Sequence, residues 1–438
     1  MTPHVVPAAM AGALLGSLLA CVPGLHVYNA LALAVALLAR HALPVPPAFA
    51  VPFVCGMIAA YSLLNTLPSI LAAAPDESAF FTVLPGQKLL AQGRGYEACL
   101  LTALGGMGAL LALVFLIGPW APRWLPVVRH VFRPHGHWIL WSVVAFMLLS
   151  EWPKPMGMRP TGWRARARAW RSPGFGLLTF LLSGWLGFIA IYRSPVPAAM
   201  AFQNLMPAFA GLFTLPWLIM NLVSRVRMPR QSVRTDAVPW HSVLTGAGAG
   251  LLGGGFAAFF PVVTAGVGGL LAGHATSLRD DRAFLVSQGA AKTMYMAGAM
   301  LLLFAPGVGL VRGGAAWMTQ SLVAAGTQRE YGMALAALAI GGATALLLFG
   351  PLARLWIVLL QRLGVRRLSW GSLAMVVGLV FALTGGGGLI LMLTGLGIGL
   401  IPVLFGARRM NGLGVVMLPI ACIMSGHGPT VARWLGLL

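Results

Sequence analysis

The chain has 438 residues, of which 59% are hydrophobic and only 8% are charged. A soluble protein of this length needs many more charged side chains to cover its surface, so the composition excludes a soluble globular fold. Many stretches run for about 18 or more residues without a charge, which is enough to cross ~30 Å of hydrocarbon. The predicted fold class is therefore an all-α polytopic membrane protein with roughly 10–14 membrane helices.

The charged residues are unbalanced, with 29 Lys and Arg against 8 Asp and Glu. Most basic residues lie in short loops, at 123–133, 159–171, 225–234, 362–367 and 408–409. Short basic loops stay on the cytoplasmic side, which predicts a multi-pass protein of the cytoplasmic (inner) membrane whose loops contact anionic lipid headgroups. Nucleic acid is not an expected partner, because the charge is divided among loops rather than gathered on one domain.

The first feature along the chain is a break between two apolar stretches. Residues 5–22 and 27–42 are predicted helices, and the sequence CVPGLHVYN at 21–29 separates them. Pro lacks an N–H and Gly is a poor helix former, so the backbone leaves helical geometry there. Broken helices hold substrate sites in secondary transporters, although a plain loop with a buried core His is the structural alternative. The candidate substrate-binding residues at this break are Pro23, Gly24, His26 and Asn29.

Further predicted helices cover 48–73, 97–120, 137–152, 174–193, 197–223, 241–260, 262–277, 283–305, 331–360, 371–384, 389–406 and 411–424. A run of glycines at 385–388 is predicted to divide the last long apolar stretch into two helices. Four segments follow from this pattern. They are a first transmembrane repeat at 1–120, a basic connector with membrane helices at 121–240, a second repeat at 241–330, and C-terminal membrane helices at 331–438.

An internal duplication underlies the two repeats. The glycine motif at 12–16 precedes Pro23 at the same spacing at which the motif at 250–254 precedes Pro261. Farther on, the Arg-Gly turn at 93–98 resembles the turn at 311–316. Two copies of a broken helix followed by such a turn are typical of the two-fold, often inverted, repeat of secondary transporters.

The duplication adds candidates from the second copy and from the turns. Pro261 and Thr264 occupy the second break, and we expect them to bind substrate together with the first break. Arg94 and Arg312 lie in the matched turns, where each is expected to guard the approach to the site. Anchoring of a lipid headgroup, or capping of a helix end, is the structural alternative for both arginines.

Lys292 and Thr293 lie in an otherwise uncharged stretch. An ionisable group at membrane depth costs roughly 2.5–3.5 kcal/mol and marks a functional site by default. A lysine there acts as a point charge on a carboxylate or phosphate. The alternative is that Lys292 snorkels to the interface. With Ser69, these two residues complete the predicted substrate-binding set.

Asp76 and Glu77 follow a proline and either cap the next helix or hold a proton or cation. Asn204 lies in an apolar helix, where it either lines the pathway or hydrogen-bonds between helices. These three residues are the candidates for a coupling ion, which is expected to be Na⁺ or H⁺. Neither a cofactor nor a metal site is expected, because no zinc-ligand spacing or phosphate-binding loop occurs in a suitable context.

Several segments resemble the large membrane subunit of tripartite tricarboxylate transporters, and most closely its stand-alone branch best known from archaea. They are PGLH at 23–26, LPSI at 67–70, APDES at 74–78, LPGQKLL at 84–90, QGRGYEA at 92–98, LSGWLG at 182–187 and LMPAFAGLF at 205–213. The resemblance implies a secondary transporter with an inverted repeat that moves anionic organic solutes with coupling cations. A small membrane subunit and a periplasmic binding protein assist the tripartite systems, whereas the stand-alone branch need not have them.

The predicted function is therefore cation-coupled, alternating-access transport of an organic anion of the carboxylate class, without catalysis. One alternative is a translocase of a lipid phosphate such as a polyprenyl phosphate, which the basic loops and nearby tryptophans would suit. A membrane-embedded enzyme acting on lipid-linked substrates is a second alternative, which the scarcity of acids and the repeat disfavour. A membrane scaffold is a third, and a homodimer is a further expectation.

Overall fold

The computed structural model describes residues 4–23, 25, 31, 46–72, 80–153, 162–197, 204–224, 229–233, 238–276, 280–323 and 326–438. All regular structure within these residues is helical, which confirms the all-α class. In the described part of the chain, six helices are long and apolar enough to cross a membrane, or seven if the bent pair Arg409–Met424 and Gly428–Trp434 is one span. The chain is thus a multi-pass membrane protein, and the inverted repeat stays a prediction.

The helices in chain order are α1 (Val5–Ala20), α2 (Pro47–Leu64), α3 (Thr66–Leu71), α4 (Phe80–Ala91), α5 (Gly95–Leu111, continued as a π-helix over Ala112–Ile117), α6 (Ala121–Phe132), α7 (Gly136–Leu149), α8 (Trp163–Tyr192), α9 (Leu205–Phe209), α10 (Leu215–Val223), α11 (Trp240–Phe259), α12 (Ala265–Ala275), α13 (Asp281–Phe304), α14 (Gly313–Gln320), α15 (Gln328–Phe405), α16 (Gly414–Met424) and α17 (Gly428–Trp434). The π-helical turns Ala210–Thr214 join α9 to α10. The chain forms two compact units, of which the first comprises Met1–Phe132 and Asn221–Ser372, and the second Arg133–Met220 and Leu373–Leu438.

The second predicted break is present in the structure. Helix α11 ends at Phe259 and α12 begins at Ala265, so the chain leaves helical geometry on both sides of Pro261. Val262 has a φ of +53°, which is rare for a β-branched residue because its side chain crowds the backbone there. Strained backbone of this kind persists where the surrounding fold imposes it, often at functional sites.

The first predicted break is described only in part. Helix α1 ends at Ala20, shortly before Pro23, as the sequence predicts. The predicted residues Gly24, His26 and Asn29 lie outside the described residues, as do Asp76 and Glu77.

Helix α15 is a helical run of 78 residues with two interruptions. Gly364 has a φ of +74° and Gly385 a φ of +65°, values that a right-handed helix does not contain. Val380 and Met392, on either side of Gly385, pack in one buried cluster of the second unit. The positive φ of Gly385 interrupts the right-handed helix at the point where the glycine run predicts a division.

Helix α13 is the centre of the first unit. It packs against α11, α5, α12 and α2, and every residue from Leu285 to Phe304 except Tyr295 is buried. Glycines permit the close approach of α5, since a Cβ on Gly105 would lie only 1.9 Å from the carbonyl oxygen of Val286. Small residues serve this purpose between membrane helices, where apolar burial gives little driving force.

The two glycine motifs of the predicted repeat make similar contacts. A Cβ on Gly12 of α1 would lie 1.9 Å from the carbonyl oxygen of Phe53 on α2. A Cβ on Gly254 of α11 would lie 2.4 Å from the carbonyl oxygen of Ala291 on α13. In each copy, the helix before the break thus packs through glycine on the long helix that follows, which favours the duplication.

Candidate functional site

The candidate site is built around Lys292, at the middle of α13. Its side chain is only 1% exposed, and its ammonium group donates a hydrogen bond to Oδ1 of Asn65. Asn65 is itself buried, so the charge is held inside the first unit. This burial disfavours the alternative in which Lys292 snorkels to the membrane interface.

Asn65 reaches Lys292 from an interruption between two helices. Helix α2 ends immediately before Asn65 and α3 begins immediately after it. The predicted residue Ser69 lies one turn farther on, and its hydroxyl donates to the backbone oxygen of Asn65 at 2.8 Å. Ser69 therefore belongs to the same buried cluster. The sequence signal for Asn65 was an amide side chain inside the apolar span Pro47–Leu71.

Two threonines extend the cluster to α5. The Oγ1 of Thr102 donates to the Oγ1 of Thr66 at 3.1 Å, and both side chains are buried. Thr66 follows Asn65 directly, so α3 and α5 meet through polar side chains at this level. We call these connected buried residues, at positions 65, 66, 69, 102 and 292, the polar seam.

Two buried polar atoms next to this seam have no hydrogen-bond partner within the described residues: Nε2 of Gln288 and Oγ1 of Thr293. Gln288 precedes Lys292 by one helical turn, so the two side chains share a face of α13. A glycine on a neighbouring helix leaves the space for each group. A Cβ on Gly106 would lie 2.7 Å from Thr293 Oγ1, and a Cβ on Gly269 would lie 2.7 Å from Gln288 Nε2. Leaving such groups unpaired costs about 1–3 kcal/mol each, which a ligand could offset.

Both predicted breaks lie beside the seam. The Tyr61 hydroxyl donates at 2.6 Å to the backbone oxygen of Leu25, in the first break, and Tyr61 precedes Asn65 by one turn of α2. Helix α12, which starts at the second break, places Gly269 against Gln288. Thr264 caps α12 by accepting a hydrogen bond from the Val267 N–H at 3.5 Å. The structure thus gives Thr264 a capping role, and its binding of substrate stays a prediction.

Arg94 lies in a charged vestibule, which we define by Lys88, Arg94, Asp280, Asp281 and Arg282. Its guanidinium donates two hydrogen bonds of 2.8 Å to Glu97, a carboxylate that is only 1% exposed. Arg282, near the start of α13, lies 3.1 Å from the same carboxylate. Lys88 and Asp281 form an exposed ion pair at 2.6 Å.

The vestibule lines an open cavity of about 450 Å³. Asp280 caps α13 by accepting hydrogen bonds from the N–H groups of Arg282 and Ala283. Along α13, Arg282 precedes Lys292 by about 15 Å. Arg94 already has a carboxylate partner in Glu97. Its role in guarding the approach to the site stays a prediction.

Arg312 and Asn204 lie elsewhere. The Nε of Arg312 donates at 2.9 Å to the backbone oxygen of Phe259, the last residue of α11. Asn204, in the second unit, donates from Nδ2 to the backbone oxygen of Ala190 at 2.8 Å, which agrees with the predicted alternative of a hydrogen bond between helices. Of the predicted residues that the structure describes, Ser69, Lys292 and Thr293 are thus associated with the polar seam.

The second unit has a buried polar cluster of its own, which the sequence analysis missed. The Glu151 carboxylate accepts hydrogen bonds from the Arg408 N–H, the Ser172 hydroxyl and the Asn411 amide. Gly176 leaves room for it, because a Cβ there would lie 2.1 Å from the Glu151 Oε2. The available signal was a lone acid at the end of an apolar stretch.

No group of His, Cys, Asp and Glu within the described residues could hold a metal ion.

Comparisons with known proteins agree with a membrane transporter. A family model described as "Tripartite tricarboxylate transporter TctA family" matches residues 6–414. An uncharacterized protein of Methanocaldococcus jannaschii is 25% identical over 426 aligned residues, with 93% of this chain and 96% of the relative covered. No solved structure matches the chain. The family match includes both predicted repeats and the polar seam.

We expect Glu97→Gln to lower the free energy of unfolding by about 3 kcal/mol, because two arginines lose the carboxylate buried between them. The value lies at the low end for breaking a buried pair, since Arg94 and Arg282 keep 30% and 24% exposure. Thermal unfolding of the purified protein in detergent measures the change. The control is Lys88→Met, which removes an exposed ion pair worth about 0–1 kcal/mol. Equal stability of both variants would contradict a clamping role for Glu97.

Proposed function

The chain belongs to the tripartite tricarboxylate transporter TctA family, and on this premise we propose that it is a secondary transporter of an organic anion of the carboxylate class. The single observation that supports this substrate class is the buried ammonium of Lys292, hydrogen-bonded to Asn65. A positive charge in the middle of a helix bundle is costly and is typical of a transport pathway. The proposed location is the cytoplasmic membrane.

The polar seam has the chemistry of a carboxylate site. Lys292 supplies a point charge, and the unpaired Gln288 Nε2 and Thr293 Oγ1 supply hydrogen-bond donors on the same helix. Gln288 and Thr293 lie about 140° apart around α13, so a substrate with more than one carboxylate, such as citrate, would place one group at the ammonium in place of the Asn65 oxygen and offer others to these donors. Each hydrogen bond formed in this way would remove the cost of a buried unpaired group.

Access to the site involves the vestibule and the breaks. The vestibule, whose three basic side chains are balanced by Asp280, Asp281 and Glu97, would be the entrance to the pathway, about 15 Å from Lys292 along α13. The breaks at Pro23 and Pro261 flank the seam, and movement of their helices would expose it to alternate sides of the membrane.

The coupling ion and the partners extend this proposal. Na⁺ or H⁺ would supply the driving force, with Asn204, Asp76 and Glu77 as the candidate residues. Members of tripartite systems work with other subunits, whereas a stand-alone carrier would take its substrate directly from solution. Transport into proteoliposomes that contain this chain alone distinguishes the two arrangements.

We expect Lys292→Met to weaken carboxylate binding more than tenfold, which corresponds to about 1.4 kcal/mol or more. Methionine fills a similar volume without the charge, so the loss would report the ammonium contact. Native mass spectrometry of the purified protein with citrate, succinate and a polyprenyl phosphate measures binding. Stoichiometric binding of a small carboxylate is expected for the unchanged protein.

The matched control is Lys88→Met, which removes an exposed lysine of the vestibule and should change affinity less than threefold. Retained affinity in folded Lys292→Met would remove this residue from the site. Specific retention of the polyprenyl phosphate, without carboxylate binding, would contradict the proposed substrate class and favour the lipid-phosphate alternative.

Thr293→Val separates function from stability. Because the Thr293 hydroxyl is buried without a hydrogen-bond partner among the described residues, its removal should leave the free energy of unfolding unchanged or raise it by about 1 kcal/mol. If the hydroxyl donates to the substrate, affinity for the carboxylate falls at least threefold in the same variant. Thermal unfolding with and without ligand measures both effects. A destabilised variant with normal affinity would show that the hydroxyl is structural.

A further inference from the structure

An apolar cavity of about 270 Å³ lies in the first unit, apart from the polar seam. Its walls come from α6, α11, α13 and α15, and include Leu125, Phe259, Met294 and Leu301. Gly255 and Gly298 also line it, and their missing side chains help to leave the space open. Tyr331 also lines the cavity, and its hydroxyl donates to the backbone oxygen of Gly118 at 2.6 Å.

The cavity reaches the surface beside α6. Trp124 and Phe132 line it and are also 42% and 39% exposed. Helix α6 has 12 residues, too few to cross a membrane, and it exposes Val127 and Val131 as well as basic side chains. Exposed apolar and aromatic side chains on a short basic helix are typical of a helix that lies in the membrane interface.

Two arginines lie near the cavity. Arg129 follows Leu125 by one turn of α6 and donates to the backbone oxygen of Val308. Arg312 donates to the backbone oxygen of Phe259, a residue that lines the cavity. Neither arginine has an ion-pair partner within the described residues. Burial, and secondly the positive charge of Arg129, lower the pKa of the Arg312 guanidinium, so an anion beside the pair would be stabilising.

We infer that this cavity and arginine pair form a binding site for one anionic phospholipid. An acyl chain enters the apolar cavity past Trp124 and Phe132, and the headgroup phosphate contacts Arg129 and Arg312. The charge of the pair selects an anionic over a zwitterionic headgroup, and the cavity selects a lipid over free phosphate. The site involves none of the residues of the polar seam, so this inference does not depend on the proposed substrate.

The test is native mass spectrometry of the full-length protein in detergent, titrated with phosphatidylglycerol and phosphatidylcholine of equal chain length. We expect one phosphatidylglycerol molecule to bind at least tenfold more tightly than phosphatidylcholine. The double variant Arg129→Gln with Arg312→Gln should lose this preference. Arg123→Gln is the control on the same helix and should keep the preference, because Arg123 stacks on Trp120 at 4.6 Å, whereas Arg129 and Arg312 donate to the backbone oxygens of Val308 and Phe259.

A second variant tests the cavity without touching a charge. A Cβ on Gly255 would be 3.7 Å from its nearest neighbour, so the backbone accepts a side chain here, and we expect Gly255→Leu to extend into the cavity that Gly255 lines. We expect it to weaken the binding of both lipids at least fivefold while thermal unfolding without lipid stays unchanged. Equal binding of the two lipids to the unchanged protein, equal effects of Arg123→Gln and the arginine pair, or full lipid affinity in Gly255→Leu would overturn the assignment.

Discussion

An ammonium group buried among apolar helices needs polar partners, because a charge at membrane depth costs several kcal/mol. In the first unit this constraint falls on Lys292, whose hydrogen-bond partner Asn65 lies at the junction of α2 and α3. Thr66 and Thr102 extend the polar contact to α5. Helix α5 approaches α13 closely because glycines at the contact carry no side chain. The buried charge of Lys292 therefore lies where the junction of α2 and α3, the glycine contacts of α13 and the polar seam meet.

Helix α13 links three different environments along its length. Its first turn lies in the charged vestibule, where Arg282 contacts the Glu97 carboxylate that Arg94 also binds. Its middle carries Lys292 and the polar seam. Its last turns line the apolar cavity with residues such as Leu301. A solute anion and a lipid acyl chain would therefore contact the same helix through different residues.

The sequence was most informative where the signal was local. A lysine in an apolar stretch predicts Lys292, and this signal depends only on nearby residues. A Pro between two apolar stretches, at the same spacing from a glycine motif as Pro23, predicts the break at Pro261. The partner of Lys292 could not be predicted, because Asn65 lies 227 positions away and meets it only through helix packing. Glu151 likewise depends on Asn411, which is distant in the chain. The Arg94–Glu97 pair is different, since its spacing on one helical turn was available and could have been used.

The most direct test of the substrate site is an experimental structure of the full-length protein determined with and without a bound carboxylate such as citrate. The account predicts that a carboxylate oxygen lies within hydrogen-bond distance of the Lys292 ammonium, in place of the Asn65 oxygen. Gln288 and Thr293 should donate to the same ligand. A citrate molecule bound elsewhere, with the Lys292–Asn65 hydrogen bond unchanged in both structures, would contradict the account and leave the lysine with a structural role.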